Sequence, residues 1–266
     1  MNGVISMDIS REYEILRIKG NLSTRENDII TIEYPFTIFI DDEETITLLC
    51  TPKSLEELTI GFLHSEGFID DIESIEKIRI DEENGSAYVY LKYRKILSEK
   101  LQGKRTITSG CGKGTMFYNV LDSFKSKKIE KSISINIDEI VNLMKIFNHK
   151  SDLFINTGGV HSCGLCDRKE ILYFEEDIGR HNALDKILGR ALLEKLDLSD
   201  KIIITSGRIS SEMLIKAAKR GIPAIVSRSA PTSLAVDIAG ELNILLIGFA
   251  RGQKMNIYTS FPSLIF

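Results

Sequence analysis

The sequence predicts an α/β protein, in which a smaller α+β domain precedes a domain built on a parallel sheet. Two patterns indicate this class. In the last third of the chain, short apolar runs alternate with helical periods through short connections, as in parallel strands joined by right-handed crossovers. In the first third, strand-like segments surround one amphipathic helix. The chain has 266 residues, 43% of them hydrophobic, which is enough for a full core.

Four strands are predicted in the N-terminal part. Residues 31–39 and 46–50 have the apolar patterns of strands. Residues 77–80 and 87–93 are strand-like as well, and the Asn-Gly pair at 84–85 is a strong hairpin signal. We therefore expect an antiparallel pair of strands around that turn.

One helix lies between these two pairs of strands. It is predicted to begin after Pro52, where Ser54 and Glu57 have the spacing of a capping box, and to end at Gly67. Its apolar face consists of Leu55, Leu58, Phe62 and Leu63.

A basic, serine-rich segment at 125–132 follows a glycine-rich stretch at 110–114. Such a composition is typical of a surface connection, so we place a domain boundary in this region. The predicted domains are 1–125, which ends in the loop that contains Cys111, and the α/β domain 126–266.

The second domain is predicted to alternate helices and strands, with glycine and proline marking several ends. The predicted strands are 153–156, 202–205, 224–226, 244–249 and 255–258. The predicted helices are 137–147, one that begins near Asp177, one that Ser210 or Ser211 caps and Gly221 ends, and 234–242.

The segment 176–189 combines an ordinary amphipathic helix with an unusual start. Asp177 is predicted as its N-cap, because a carboxylate accepts free backbone N–H groups. Residues 179–182 (Gly-Arg-His-Asn) then lie at the positive end of the helix dipole, a position that favours anions. The dipole should keep His181 neutral, and Asp185 one turn later is expected to orient the ring.

Three strand-to-helix or strand-to-strand loops carry arginine, at Arg208, Arg228 and Arg251. Any one of them is an ordinary surface feature. In a parallel sheet, however, these loops meet at one edge, where ligands bind, and arginine and glycine together suit phosphate. With the turn at 179–182, they predict a phosphorylated or nucleotide-like ligand. There is neither a Walker loop nor a GxGxxG after a strand, which argues against ordinary ATP or NAD binding.

Charge and hydropathy exclude several classes of partner. The net charge of −4 gives no electrostatic reason to expect nucleic-acid binding. No apolar run approaches the ~20 residues of a membrane span, and no targeting segment is visible. We expect a cytoplasmic protein whose four cysteines are thiols, catalytic groups or ligands rather than structural disulfides.

Cys111 lies in the sequence Ser-Gly-Cys-Gly-Lys-Gly at 109–114. Glycines on both sides predict a mobile loop, and Lys113 favours the thiolate, which is the nucleophilic form. Such a thiol suits group transfer between two large partners. A free surface cysteine in a flexible loop is the alternative, and local chemistry alone does not choose between them.

Cys163 and Cys166 form a CxxC motif that follows His161. The motif permits a redox dithiol, a zinc site with His161 as a further ligand, or two small buried thiols. The buried pair is the favoured interpretation, because a zinc deaminase would require H-x-E and a later cysteine pair. Cys50, in an apolar strand, is predicted to be a core residue.

Several motifs, in this order, resemble the FdhD family, the accessory sulfurtransferases for formate dehydrogenase. They are GFL at 61–63 with SEG at 65–67, the Cys111 loop, TGGVH at 157–161, EDIGRHNALDK at 176–186, SGR at 206–208, SAPTSLA at 229–235 and the segment 248–258. The resemblance implies that the second domain has a three-layer fold like that of cytidine deaminases, without their zinc signature and without a tightly held metal.

The resemblance also implies a function. A cysteine desulfurase would load sulfur onto Cys111 as a persulfide, and the sulfur would pass to the molybdenum bis-pterin guanine dinucleotide cofactor, or its tungsten equivalent, of formate dehydrogenase. The family is typically dimeric, so we expect a homodimer. The predicted cofactor-binding residues are Phe249, Ala250, Arg251, Gly252, Gln253 and Lys254, which match the family's cofactor loop, together with Arg208 and His181.

One departure from the family concerns the loop. Many relatives have CGxCG, whereas this chain has Thr115 after Cys111-Gly112-Lys113-Gly114 and lacks the second cysteine. A persulfide on Cys111 alone is chemically sufficient. Two other functions stay open: a cofactor-binding chaperone that does not use Cys111, and a zinc enzyme or thiol oxidoreductase centred on the CxxC motif.

Overall fold

A computed structural model describes residues 7–93, 128–129, 133–259 and 264–265. The Cys111 loop and most of the predicted connection therefore lie outside the described residues. The proposed division at 125/126 stays a prediction for the same reason. Within the described ranges, no helix is long and apolar enough to cross a membrane.

The N-terminal part contains two sheets and one helix. Its elements are β1 (Ser10–Lys19), β2 (Leu22–Thr31), β3 (Tyr34–Ile40), β4 (Glu43–Cys50), α1 (Leu55–Glu66), a short 3₁₀ turn (Ile72–Ser74), β5 (Ile75–Asp81) and β6 (Ser86–Leu91). β1 and β2 form a two-stranded antiparallel hairpin, and the other strands form a sheet in the order β4-β3-β6-β5. The predicted turn is confirmed, with Gly85 at φ 62° between β5 and β6.

Two predictions in this part need correction. The strand predicted over 31–39 is divided, because Thr31 ends β2 and Tyr34 begins β3. The capping box at α1 is wrong: Ser54 has φ 54°, makes no side-chain cap, and donates its hydroxyl to Glu175 Oε1 at 2.9 Å. The predicted apolar face and the end at Gly67 are confirmed.

The C-terminal part is built on a six-stranded mixed sheet with the order β13-β12-β11-β10-β8-β9. Its elements are β7 (Ile135–Asn136), α2 (Ile137–His149), α3 (Asp152–Thr157), β8 (His161–Cys166), β9 (Ile171–Asp177), α4 (Arg180–Leu193), β10 (Ile202–Thr205), α5 (Ser211–Lys219), β11 (Ala224–Ser227), α6 (Ser233–Leu242), β12 (Leu245–Arg251), β13 (Lys254–Ile257) and β14 (Leu264–Ile265). β10, β11 and β12 are parallel, as predicted, whereas β8, β9 and β13 run antiparallel to their neighbours.

Helices cover both faces of this sheet, because its strands are apolar on both sides. One core joins the sheet to α4, α5 and α6, and a second core on the opposite face joins it to α2. The observed class is therefore a mixed α/β fold with several sheets, and the likeness to cytidine deaminases stays a prediction.

The strand predicted over 153–156 is wrong, because this segment is the short helix α3. The Glu176 side chain accepts the N–H groups of Leu153 and Phe154, both at 3.1 Å, and Gly158 at φ 65° ends the helix. A carboxylate from a distant strand thus stabilises the helical start, which local sequence does not reveal.

The two parts meet where α1 crosses α4 at very short distance. A Cβ atom built on Gly61 would lie 1.8 Å from the Asp185 carbonyl oxygen, and one on Gly189 would lie 1.9 Å from the Glu57 carbonyl oxygen. Only glycine permits this approach of two helix backbones. The crossing fixes α4, whose N-terminus points to the site described below.

Candidate functional site

A cleft of about 370 Å³ opens at the carboxyl ends of the parallel strands. It is lined by Phe154, Gly158, Gly159, Val160, His161, Ile178, Ser206, Arg228, Ser229 and Arg251. Two of the three arginine loops thus contribute an arginine to its wall, and the third contributes Ser206. The position agrees with the rule that ligands bind beyond the carboxyl edge of such sheets.

The loop at 248–254 is tied to the loop before it by two hydrogen bonds. The Phe249 N–H donates to the Ser229 carbonyl at 3.1 Å, and Arg251 Nε donates to the Arg228 carbonyl at 3.2 Å. Phe249 has φ 52° and its side chain is 42% exposed. A non-glycine residue held in this backbone region, with an exposed aromatic ring, is a feature that functional loops often have.

The remaining residues predicted for this loop differ in their exposure. Ala250 is buried, whereas Arg251, Gly252, Gln253 and Lys254 are exposed. Gly252 has φ 59° and makes the turn from β12 to β13. The loop therefore presents backbone and cationic side chains to solvent next to the cleft.

A second group of residues beside the cleft contains His161, Arg180 and Arg208. A Cβ atom on Gly207 would lie 3.0 Å from Arg180 Cβ and 3.5 Å from His161 Nδ1, so these residues pack tightly. Burial, and then the charge of Arg208, lower the pKa of Arg180. Arg180 Nε is buried and has no hydrogen-bond partner among the described residues. Two arginines whose charges act on each other, one of them incompletely paired, favour an anion beside them.

His161 belongs to this group rather than to a metal site. It lines the cleft, and burial lowers the pKa of its ring, with the charges of Arg180 and Arg208 acting in the same direction and Asp177 against it. A neutral imidazole at this place can donate or accept a hydrogen bond.

Asp177 is not the N-cap of α4, because Gly179 has that position and makes no side-chain cap. The Asp177 carboxylate is fully buried instead. Its Oδ1 accepts from the Gly179 N–H at 2.8 Å and from Asn182 Nδ2 at 2.9 Å, and its Oδ2 accepts from the Thr51 N–H at 3.0 Å. Lys186 Nζ lies 2.6 Å from Oδ2 and compensates the charge.

The ring of His181 is neutral, as predicted, but burial is the main reason. The side chain lies in a buried position, and burial together with the charges of Lys216 and Arg180 lowers its pKa to about 3. Asp185 does not orient the ring. His181 Nε2 lies 3.3 Å from Ser210 Oγ, whereas Asp185 accepts from Lys216 Nζ at 2.6 Å and from a serine of α1.

Two buried lysines were not predicted from the sequence. Lys186 Nζ also donates to the Thr51 carbonyl at 3.0 Å, and Lys216 is paired with Asp185 in the contact between α1, α4 and α5. Asn182 Nδ2 donates to the Leu49 carbonyl at 2.8 Å. These bonds connect the start of α4, and so the cleft, to the N-terminal sheet. The one sequence feature that could have indicated the buried lysines is their position among the apolar residues of α4 and α5.

The CxxC motif does not form a dithiol or a zinc centre. Cys163 and Cys166 lie on strand β8, in the two cores on opposite faces of the sheet. Burial raises the pKa of both thiols, and that of Cys50 rises to about 12 in its own core. Within the described residues, no group of His, Cys, Asp and Glu side chains is arranged to hold a metal. All three described cysteines are core residues.

The fold and the site together define an α/β protein with an arginine-rich, glycine-lined cleft at the carboxyl edge of its sheet. Comparison with protein-family models gives the particular family: residues 31–265 match the FdhD/NarQ family. The chain belongs to the FdhD/NarQ family.

Relatives with similar sequences have nearly the same length as this chain. It is 48% identical to the sulfur carrier protein FdhD of Bacillus pumilus, over 94% of this chain and 96% of that protein. It is 46% identical to the sulfur carrier protein FdhD of Bacillus subtilis, over 91% and 92%. A crystal structure described as a formate dehydrogenase accessory protein from Desulfotalea psychrophila superimposes with a TM-score of 0.78, at 26% identity, over 97% of this chain and all of that one.

Proposed function

We propose that this protein is a sulfur carrier required for formate dehydrogenase activity. A cysteine desulfurase loads Cys111 with a persulfide, and Cys111 delivers the sulfur to the bis-pterin guanine dinucleotide cofactor of molybdenum or tungsten. The observation that carries the proposal is the similarity over more than nine-tenths of the chain to proteins named sulfur carriers. The proposed setting is the cytoplasm, and the proposed partners are the desulfurase, formate dehydrogenase and a second subunit.

The chemistry of the loading step needs a single thiolate. The Cys111 thiolate attacks the terminal sulfur of the desulfurase persulfide, so that one S–S bond forms, another breaks and the desulfurase thiolate leaves. Lys113, two residues after Cys111 in the sequence, favours the thiolate, which is the nucleophilic form. The terminal sulfur is itself the transferred group, so the absence of a second loop cysteine does not prevent the step.

The cleft supplies what a guanine dinucleotide cofactor requires. Arg228 and Arg251 in its wall, with Arg208 beside it, offer planar donors to the phosphates, and Gly158 and Gly159 permit close approach. Phe249 offers an exposed ring to a base or pterin. When bound, the cofactor supplies the metal that accepts the sulfur, and the residues of the chain hold and orient it.

A cofactor-binding chaperone is the second candidate, because the same cleft would serve a protein that does not use Cys111. The two candidates differ in one group. The carrier requires the Cys111 thiol for transfer, whereas the chaperone requires only the arginine-rich cleft.

Intact-mass spectrometry after incubation with a cysteine desulfurase and cysteine tests the proposal. The wild-type protein is expected to gain the mass of one sulfur, reversibly with reductant. Cys111→Ala is expected to gain nothing, whereas Cys163→Ala, which removes a buried thiol, is expected to gain the same sulfur. No gain in the wild type would refute the carrier and leave the chaperone. A gain that survives Cys111→Ala would refute Cys111 as the carrier and move the sulfur to Cys163 or Cys166.

A further inference from the structure

One wall of the cleft is built from the short segment 152–160, which contains α3 and the residues after it. This segment contributes Phe154, Gly158, Gly159 and Val160 to the lining of the cleft. The Phe154 side chain is 40% exposed there. An aromatic ring beside two glycines offers a flat apolar surface, which suits the face of a planar heterocycle. We call residues 152–160 the α3 wall.

The arginines of the cleft lie at its other end. Arg228 follows β11 and Arg251 ends β12, whereas the α3 wall leads into β8. In the order of the sheet, β10 lies between β11 and β8. Because neighbouring strands are ~4.8 Å apart, β11 and β8 are ~10 Å apart at this edge. A ligand with phosphates at one end and a flat ring at the other therefore fits the cleft in one orientation.

The helix α3 has little packing of its own to hold it in place. With six residues it is too short to be stable as an isolated helix. Leu153 is its one buried residue, and Ile155 is 64% exposed. Ser151 stands at the N-cap position but makes no side-chain cap, and its hydroxyl contacts the Ser162 hydroxyl instead. The position of α3 must therefore be fixed from outside the helix.

The Glu176 carboxylate provides that support. One of its oxygens accepts the N–H of Leu153 and the other accepts the N–H of Phe154, both at 3.1 Å. Glu176 lies on β9 directly before Asp177, and successive side chains of a strand point to opposite faces of the sheet. Asp177 holds the start of α4 through the Gly179 N–H, and Glu176 holds the start of α3.

The support extends along the whole α3 wall through Thr157. The Thr157 hydroxyl donates to the Leu153 carbonyl at 2.7 Å and accepts the Gly159 N–H at 3.1 Å. A Cβ atom on Gly159 would lie 2.7 Å from Thr31 Cγ2, so the wall also packs closely against the end of β2. A shift at the start of α3 is therefore passed on to the glycines of the cleft.

We propose that Glu176 is a positioning residue of the cleft, which acts through α3 to hold Phe154 against the planar ring of the bound nucleotide. The inference rests on the proposed function, in which the cleft binds a guanine dinucleotide cofactor. It adds an orientation of the ligand, with the ring at the α3 wall and the phosphates at Arg228 and Arg251. The intact-mass experiment needs no nucleotide and therefore tests the carrier function separately.

Calorimetric titration with two probes separates the two ends of the cleft. Guanosine diphosphate has a ring and phosphates, whereas inorganic pyrophosphate has only the phosphates. Glu176→Ala is expected to weaken binding of guanosine diphosphate ~10–100-fold, the range for the loss of one stacked base, and to leave pyrophosphate affinity unchanged. Arg228→Ala is expected to weaken binding of both probes, because it acts on the phosphate end.

Two further variants test how Glu176 acts. Glu176→Gln keeps an amide oxygen that accepts one of the two N–H groups, so guanosine diphosphate should bind only ~3–10-fold more weakly, with pyrophosphate again unchanged. In a Phe154→Ala background, Glu176→Ala is expected to add less than about twofold to the loss of guanosine diphosphate affinity, because the ring that it positions is absent.

The matched control is Glu139→Ala. Glu139 also accepts a backbone N–H at the start of a helix, that of Asn136 at 2.9 Å, but it belongs to α2 and does not line the cleft. Its removal is expected to cost a comparable helix cap and to leave the affinity for both probes unchanged.

Four results would overturn the proposal. They are a wild type that does not bind guanosine diphosphate, a Glu176→Ala protein that binds it as the wild type does, equal losses of affinity for the two probes, and losses of Glu176→Ala and Phe154→Ala that add in full. Glu176→Gln provides the same comparison of probes if Glu176→Ala does not fold. In that case, equal affinities of Glu176→Gln and the wild type would overturn the proposal.

Discussion

Replacing Gly61 by alanine is expected to lower the free energy of unfolding by about 3 kcal/mol. The new Cβ would lie 1.8 Å from the Asp185 carbonyl oxygen and 2.6 Å from its carbonyl carbon, where contacts below 3.0 Å do not occur. The two helices would have to separate by more than ~1 Å. Overpacking of this kind costs ~1–3 kcal/mol. Displacing Asp185 also stretches its hydrogen bonds from Ser65 (2.7 Å) and Lys216 (2.6 Å), at ~1.5–3 kcal/mol for bonds to a charge.

Alanine in a helix interior gains ~1 kcal/mol over glycine, which offsets part of this loss. Gly240 in α6 isolates that gain, because a Cβ there would meet only Thr259 Cγ2 at 3.9 Å. Urea unfolding followed by circular dichroism is therefore expected to show Gly61→Ala less stable and Gly240→Ala more stable than the wild type. A Gly61→Ala protein within ~0.5 kcal/mol of the wild type would refute the argument that this crossing requires glycine.

Three further changes have defined outcomes. Lys186→Met should lower the free energy of unfolding in urea by ~3–5 kcal/mol, because it leaves the Asp177 carboxylate buried without its counter-charge. Adding Asp177→Asn should restore part of that loss. A double variant no more stable than Lys186→Met would contradict this expectation. The pKa of His181 is about 3 in the folded protein and 6.5 in the unfolded chain, so this residue should lower wild-type stability by up to ~1.4 kcal/mol per pH unit as the pH drops from 6.5 towards 3. His181→Gln should lack this contribution in unfolding midpoints measured across that pH range. Equal pH slopes of wild type and variant would contradict the expectation. Arg228→Ala should weaken the binding of guanosine diphosphate ~10–100-fold in calorimetric titration, whereas Arg25→Ala, on the exposed strand β2, should not change it. Equal affinities of the two variants would argue against the cleft as the nucleotide site.

Strands that are buried on both faces were among the most predictable elements. β10, β11 and β12 have consecutive apolar residues, and their observed bounds lie within two residues of the predicted ones. The hairpin of β1 and β2 was not predicted, because polar and apolar residues occur on both of its faces and no period-2 pattern results. The prediction of a strand at 153–156 was wrong because a short apolar run fits a strand or a helix equally well.

The candidate site was predicted in part. The order of strands and helices places the loops of Arg208, Arg228 and Arg251 at one edge of the sheet. That these three loops lie near one another could therefore be predicted from the sequence. The buried pairs could not be predicted, because their partners are distant in the chain: Lys186 bonds the Thr51 carbonyl, 135 positions away. The supposed cap Asp177 was misassigned for the same reason.

The helix α4 has an evolutionary consequence. Its first turn borders the cleft, and its interior packs on α1 through glycine. Its Asn182 and Lys186 side chains donate hydrogen bonds to the carbonyls of Leu49 and Thr51, at the end of β4. The two parts of the chain therefore cannot diverge independently. A recombinant that joins the N-terminal part of one relative to the C-terminal part of another inherits a working cleft only if both parents match at this helix crossing, so α1 and α4 behave as one heritable unit.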